Sequence, residues 1–205
     1  MTKAGCKKAR CDKTQKAIET GFTLVELMVT VAVLSVVLTV AVPSFAALVQ
    51  GNRLTGQVNQ IVAALNLAKA EAVKLNRAVL FCHSSDATTC SEPANTGWQG
   101  WLVGIAQPRP ATGIVVGNIM AVGELHSDQI MILEAESIAD SDGEIRFVPQ
   151  GLVRDQGNVP LTSVLRVCLK FSGVMNIRDI GISSGGQVDV VNSTNTLCAV
   201  PEEII

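Results

Sequence analysis

Glu26 is the one ionisable side chain in the twenty-eight residues from Phe22 to Val49. A carboxylate within a membrane helix costs about 2.5–3.5 kcal/mol near the bilayer centre and is usually retained for a partner, unless it lies at the helix end and reaches headgroup water. The other residues with chemical potential are six cysteines (Cys6, Cys11, Cys82, Cys90, Cys168 and Cys198) and two histidines (His83 and His126). Cys82, His83, Cys90 and His126 make a poor zinc set, because adjacent ligands at 82 and 83 diverge on a strand and the spacing matches no common pattern. A cysteine–histidine nucleophile would need an orienting group or an oxyanion motif, and none accompanies these residues. Ser183-Ser184-Gly185-Gly186 lacks the strand, lysine and helix of a phosphate loop. The sequence therefore predicts a protein that is not an enzyme and takes neither metal nor cofactor.

The elements that carry these residues differ sharply in charge. The first 21 residues hold Lys3, Lys7, Lys8, Arg10, Lys13 and Lys16 against Asp12 and Glu19, a net of +4; the remainder holds ten cations against sixteen anions, a net of −6. A short basic head before a long apolar run marks a segment kept on the cytoplasmic side while the chain beyond it is translocated. The acidic remainder argues against a general polyanion binder. An ordinary secretory signal has an apolar region of about 7–15 residues, whereas a bilayer span needs about 20, so the run reads as a membrane helix. Ala41-Val42-Pro43-Ser44-Phe45-Ala46-Ala47 offers a small-residue cleavage site as the alternative, against which the length and Glu26 both count.

The apolar period continues through Leu54, Val58, Ile61, Leu65, Ala68, Ala72 and Leu75 in steps of four and three, with Arg53, Gln57, Asn59, Asn66, Lys69 and Glu71 between them. One helix is predicted from Phe22 to about Asn76, on the order of 80 Å long at ~1.5 Å per residue. Pro43, Gly51 and Gly56 interrupt it and mark residues 43–56 as a flexible segment. Beyond Arg77 the chain turns to short β-rich runs. Strands are predicted over 78–83, 101–105, 114–122, 129–133, 144–148, 163–171, 177–182 and 187–191, with a polar loop over 84–97. A helix followed by strands, without βαβ alternation, predicts an α+β fold in which an antiparallel sheet packs on the striped half of the helix. At 205 residues with 48% apolar and 17% charged composition, the chain has room for one domain and an extension, and disorder is excluded. Its mean hydropathy of +0.36 requires that some stretch meet lipid or a partner.

Cys6 and Cys11 lie in the basic head and stay in the reducing cytoplasm, so no role is assigned to them. The other four are bound for an oxidising compartment, and their even number predicts two disulfides, for which the sequence allows three pairings. Trp98 and Trp101 read as core or loop packing in preference to a binding platform.

The segment Gly21-Phe22-Thr23-Leu24-Val25-Glu26-Leu27, preceded by the basic head, resembles the start of type IV pilins and pseudopilins, whose leaders end in glycine before Phe-Thr-Leu-x-Glu-Leu. The resemblance implies a leader over 1–21 cut after Gly21 by a prepilin peptidase, which methylates the new amine of Phe22. It also implies that Glu26 of one subunit meets the Phe22 amine of a neighbour during assembly. A carboxylate and an ammonium, each costly alone in a low-dielectric medium, gain by meeting there, and misregistered packing leaves both unpaired. Residues 22–49 are then the membrane and assembly half of the helix. Residues 50–205 are the head, its half-helix over 50–76 and its β-rich part over 77–205.

Within the head, Arg77-Ala78-Val79-Leu80-Phe81-Cys82, Cys90 and Gly97-Trp98-Gln99-Gly100-Trp101-Leu102-Val103 resemble the FimT/FimU/GspH minor pilins and pseudopilins. Residues 145–151, Cys168 and Cys198 agree more loosely. This narrower likeness implies a type IV pilin-like fold and disulfides Cys82–Cys90 and Cys168–Cys198. It implies a minor pilin that primes assembly or sits at the filament tip. Its partners would be other major and minor pilins and the inner-membrane assembly platform. The chain would span the inner membrane once with a periplasmic head, then pass to the pilus on the cell surface. The alternatives within the group are a GspH-type pseudopilin of type II secretion and a FimT-like DNA receptor. The DNA-binding branch carries Gly-Arg-x-Arg where this chain has Gly186-Gln187-Val188-Asp189, and after Arg178 the chain has no further cation, so nucleic acid is disfavoured as a partner.

Overall fold

The structure, a computed structural model, describes residues 21–93, 97–107, 116–125, 129–171, 174–192 and 197–202. Met1–Pro43 and Ser44–Ile205 form two separate compact units. One helix, α1 (Leu24–Leu75), contributes to both. Thr23 starts it: its carbonyl accepts the first helical bond from the Leu27 N–H at 3.1 Å, and its Oγ1 accepts the Glu26 N–H at 3.1 Å, a donor that has no partner within the helix. Asn76 stops it with φ 50°, and the Arg77 N–H then reaches back to the Ala72 carbonyl while the Asn76 N–H reaches Val73. That is the left-handed ending in which asparagine substitutes for glycine. The helix runs unbroken through Pro43, Gly51 and Gly56, the segment whose composition predicted flexibility, and the boundary between the units falls at Pro43.

In the first unit the described residues Gly21–Pro43 bury none of their side chains. In the second unit α1 buries Leu54, Val58, Ile61, Leu65, Ala68 and Ala72, the predicted stripe, while Leu75 at the helix end stays exposed. Gln57 departs from the pattern. It sits three residues after Leu54 and four before Ile61, on the inward face, and is buried with its Nε2 unpartnered.

The strands are β1 (Val79–His83), β2 (Gly100–Ala106), β3 (Val116–Glu124), β4 (Ile130–Glu134), β5 (Glu144–Phe147), β6 (Val153–Arg154), β7 (Ser163–Phe171), β8 (Val174–Ile182) and β9 (Val188–Asn192), with a single-turn helix α2 (Glu136–Ala139) before β5. They form two antiparallel sheets where one was predicted, in the orders β3-β2-β1-β5-β6 and β4-β7-β8-β9. The chain leaves the first sheet for β4 and returns for β5 and β6. Two backbone hydrogen bonds bridge the sheets, from the Trp98 N–H to the Ile132 carbonyl and from the Val153 N–H to the Ser184 carbonyl, each 2.9 Å. Alternate residues of both sheets, among them Val79, Phe81, Phe147, Ile132, Leu165, Val167 and Ile180, meet the α1 stripe in one core. Burying side chains of this size contributes about 1.5–3 kcal/mol each, which is what fastens the second half of α1. Neither α2 nor β6 was predicted, because four and two residues are too short to show a period.

Candidate functional site

The residues that the sequence singles out fall at three places. Gly21 and Phe22 precede α1, Phe22 is exposed, and Glu26 lies in the first turn with its carboxylate exposed. This turn has the sequence of a capping box, with threonine at the cap and glutamate three residues on, and the half formed by the Thr23 hydroxyl is in place. The partial positive charge of a helix start favours an anion at that position. Phe22 and the Glu26 carboxylate therefore sit at one helix end, in a described segment whose apolar side chains are all uncovered.

The second place is the pair of disulfides. Cys82 of β1 is joined to Cys90 across a Cα–Cα distance of 5.7 Å, and Cys168 of β7 to Cys198 across 5.9 Å. The loop that the first disulfide closes is organised by Asp86. Its Oδ1 accepts the N–H groups of Thr88 (2.9 Å) and Thr89 (2.8 Å), and its Oδ2 accepts the Thr89 hydroxyl (2.9 Å). Those donors, the Thr88 N–H first, hold the Asp86 carboxyl well below the usual carboxylate range. His83 is buried, and its Nδ1 lies 2.8 Å from the Ser91 carbonyl, so Nδ1 carries the proton and donates. Burial pushes the His83 pKa down and keeps the ring neutral. Both Cys82 and Cys90 spend their sulfurs in the disulfide, and His126 lies outside the described residues, as do Cys6 and Cys11. Among the described residues no three His, Cys, Asp or Glu side chains gather as a metal site.

The Cys168–Cys198 link fixes the tail with help from Arg166, whose guanidinium grips both oxygens of Asp179 (2.7 and 2.8 Å) and donates to the Ala199 carbonyl at 3.1 Å. Asp179 in turn raises the Arg166 pKa. This bidentate geometry is the stronger kind of ion pair. The stretch Gly186-Gln187-Val188-Asp189 forms the end of the β8–β9 turn and the start of β9, with Gly186 at φ 76°. Asp189 joins Asp179 and Glu202 around a hollow of about 230 Å³, so the neighbourhood is acidic in space as well as in sequence.

The third place is the tryptophan pair. Phe81 stacks with both rings, at centroid distances of 5.5 Å to Trp98 and 5.6 Å to Trp101. Trp98 donates its indole N–H to Glu134 Oε2 at 2.8 Å. Burial pushes the Glu134 carboxyl up against the opposing effect of that hydrogen bond, and the Glu92 charge adds to the rise. Sequence reasoning missed Glu134; the signal available was that a buried indole N–H requires an acceptor.

Residues 57–194 match the family described as Type II transport protein GspH, and residues 17–42 match the Prokaryotic N-terminal methylation motif. No curated protein matches the chain. The crystal structure of the type IV minor pilin FimU of Pseudomonas aeruginosa (strain PAO1), in space group P21, shares the fold with a TM-score of 0.51 at 16% identity, covering 71% of this chain and 96% of that one. A second crystal form of the same pilin, P65, gives a TM-score of 0.48 at 15% identity, covering 70% and 99%.

Proposed function

The chain belongs to the GspH family of type IV pilin-like minor pilins and pseudopilins, and from that membership we propose that it is a minor subunit of a type IV pilus which primes assembly or sits at the filament tip. The observation that carries this reading is the placement of Glu26 in the capped first turn of an apolar helix, five residues after Gly21. On this reading residues 1–21 are a leader that prepilin peptidase removes after Gly21, and the Phe22 amine is methylated. The exposed stem over 22–49 is held in the inner membrane until assembly, when Glu26 pairs with the Phe22 amine of a neighbouring subunit. The head over 50–205 faces the periplasm and then the cell surface. Its partners are other major and minor pilins and the assembly platform.

The family description itself favours a second reading, a pseudopilin of type II secretion, since it names a type II transport protein. The two disulfides and the stapled tail support the pilus, by likeness to the pilus members of the group. Shearing separates the two readings. The chain is expected in sheared surface filaments, and its deletion is expected to abolish or sharply reduce piliation. A strain that pilates normally without it but no longer secretes would transfer the assignment to the secretion system. The acidic surroundings of Asp189 count against a DNA receptor.

A further inference from the structure

The tail over 197–202 is held to β7 by a disulfide and by a guanidinium, and the second contact needs no oxidised sulfur. Arg166 and Cys168 lie two residues apart on β7, so their side chains emerge on the same face of the sheet. On that face Cys168 takes Cys198, and Arg166 Nη1 donates at 3.1 Å to the carbonyl of Ala199, the next residue of the tail. Two residues further on, Pro201 is buried. The tail therefore has a seat beside Arg166, defined by a backbone oxygen and a buried proline, that does not depend on the Cys198 thiol.

Arg166 can be in place before the tail arrives. It stands directly opposite Asp179 in the β7–β8 pairing and grips both carboxylate oxygens through Nε and Nη2, which leaves Nη1 for the tail. Those partners are 13 residues apart, against 30 for the two cysteines, so the nearer contact orients the guanidinium first. Its charge also matters. Glu202 of the tail shares a hollow with Asp179 and Asp189, whose like charges repel it, and the Arg166 charge offsets that repulsion.

Chain statistics do little to select this pairing. Cys90 is between two and three times as far from Cys168 along the chain as Cys198 is, and loop closure at that ratio discriminates by only about fourfold. We propose that Arg166 is a positioning residue for closure of this disulfide. It seats the reduced tail through the Ala199 carbonyl and presents Cys198 to Cys168 before any bond joins them.

The covalent step takes a disulfide oxidant, such as an oxidised dithiol catalyst or oxidised glutathione. Cys198, half-buried on the tail, is the thiol that such an oxidant reaches, whereas Cys168 is fully buried. The Cys198 thiolate attacks one oxidant sulfur, forming a mixed disulfide and releasing the other sulfur as a thiolate. The Cys168 thiolate then attacks Cys198 Sγ, the Cys168–Cys198 bond forms and the second oxidant thiolate leaves. The two protons lost by the cysteines pass to the two released thiolates, and the two electrons end on the oxidant as two thiols. Arg166 raises the fraction of chains in which Cys168 lies beside Cys198 at the second attack.

The test uses the full chain in detergent. In a Cys198→Ser chain, which cannot form the bond, the Cys168 thiol is expected to react with N-ethylmaleimide at least about tenfold more slowly than in a chain ended after Thr196, read by mass spectrometry of the Cys168 peptide. Reoxidation of the reduced chain by oxidised glutathione, quenched by alkylation, then compares closure rates. Arg166→Lys keeps a charge for Asp179 but lacks the fork that reaches Ala199. It is expected to slow Cys168–Cys198 closure at least about tenfold and to leave Cys82–Cys90 closure, an internal measure of folding, unchanged. A role confined to the finished structure would lower the Tm of the oxidised Arg166→Lys chain and leave its closure rate at the wild-type value, and that result overturns the proposal. Equal reactivity of Cys168 in the Cys198→Ser and shortened chains overturns it too. If Arg166→Lys slows both disulfides, the alkylation comparison, in which Arg166 is untouched, decides alone.

Discussion

Replacing Glu26 by glutamine removes a charge while leaving the first turn of α1 intact, because the hydrogen bond there runs from the Glu26 backbone N–H to Thr23 Oγ1. Glu26 is exposed in the single chain and makes no contact on which folding of the second unit depends. The cost is therefore expected to appear only on assembly. If Glu26 pairs with a neighbour's Phe22 amine in an apolar surround, removing one partner leaves an uncompensated charge, which costs about 3–5 kcal/mol. That corresponds to a drop in incorporation of about 150- to 5,000-fold. Thr23→Ala weakens only the cap, at about 1 kcal/mol, or roughly fivefold. The assay is the ratio of chain in sheared filaments to chain in membranes, by quantitative immunoblot, for wild type, Glu26→Gln and Thr23→Ala. The expected order is Glu26→Gln far below Thr23→Ala, with membrane levels unchanged in both. Equal losses would mean that Glu26 acts only as a capping residue, and normal incorporation of Glu26→Gln would refute the pairing outright.

The tail disulfide closes 30 residues, so Cys168→Ser with Cys198→Ser is expected to cost about 3.5 kcal/mol and lower Tm by about 10 °C, read by circular dichroism of the full chain in detergent. A shift below about 2 °C would mean that Arg166 alone holds the tail. Glu134 has its folded pKa raised above the unfolded value by burial, so its ionisation costs stability at neutral pH, and that cost fades as pH falls through the folded pKa toward the unfolded one. Glu134→Gln keeps an oxygen for Trp98, and is expected to raise Tm at pH 8 and to match wild type near pH 4; a variant less stable than wild type at pH 8 would contradict the burial argument. Residues 50–205 are expected to show no salt-sensitive retention of DNA. A micromolar affinity that weakens with salt would make Gly186–Asp189 a misleading guide.

Features that repeat, or that stand against their background, were legible in the sequence. The stripe from Leu54 to Ala72 repeats every three or four residues, and a repeat over five turns outweighs the glycines and the proline within the helix. Strands β1, β2, β7 and β8 carry enough β-branched and aromatic residues to be read directly. The division into two sheets was not legible, because pairing of β4 with β7, across more than thirty residues, depends on tertiary contacts that no local pattern encodes. The same limit applies to Trp98 and Glu134, which are 36 residues apart and meet only where the two sheets do. The residue type of Gln57 points to solvent, although its spacing from Leu54 and Ile61 places it inward. Type and position disagree there, and position prevails.

The two halves of α1 obey opposite rules. Between Leu24 and Val42 apolar residues surround the helix and none is covered, a surface that a soluble monomer does not sustain. From Leu54 to Ala72 the apolar residues narrow to a stripe that is buried in the core, so this half is fastened by the head and needs no lipid. A helix kept only to hold a protein in a bilayer would gain from an acid in its first turn no more than the modest favour of the helix start for an anion. Glu26 lowers the value of the segment as an anchor, at about 2.5–3.5 kcal/mol if buried to the membrane centre, and within lipid recovers that cost against a cation at matching depth. A neighbouring stem bearing a free amine at its own first residue supplies such a cation, and only when the two helices are set at a fixed offset. On the assembly reading, the acid would thus convert unspecific attraction between apolar helices into a defined register.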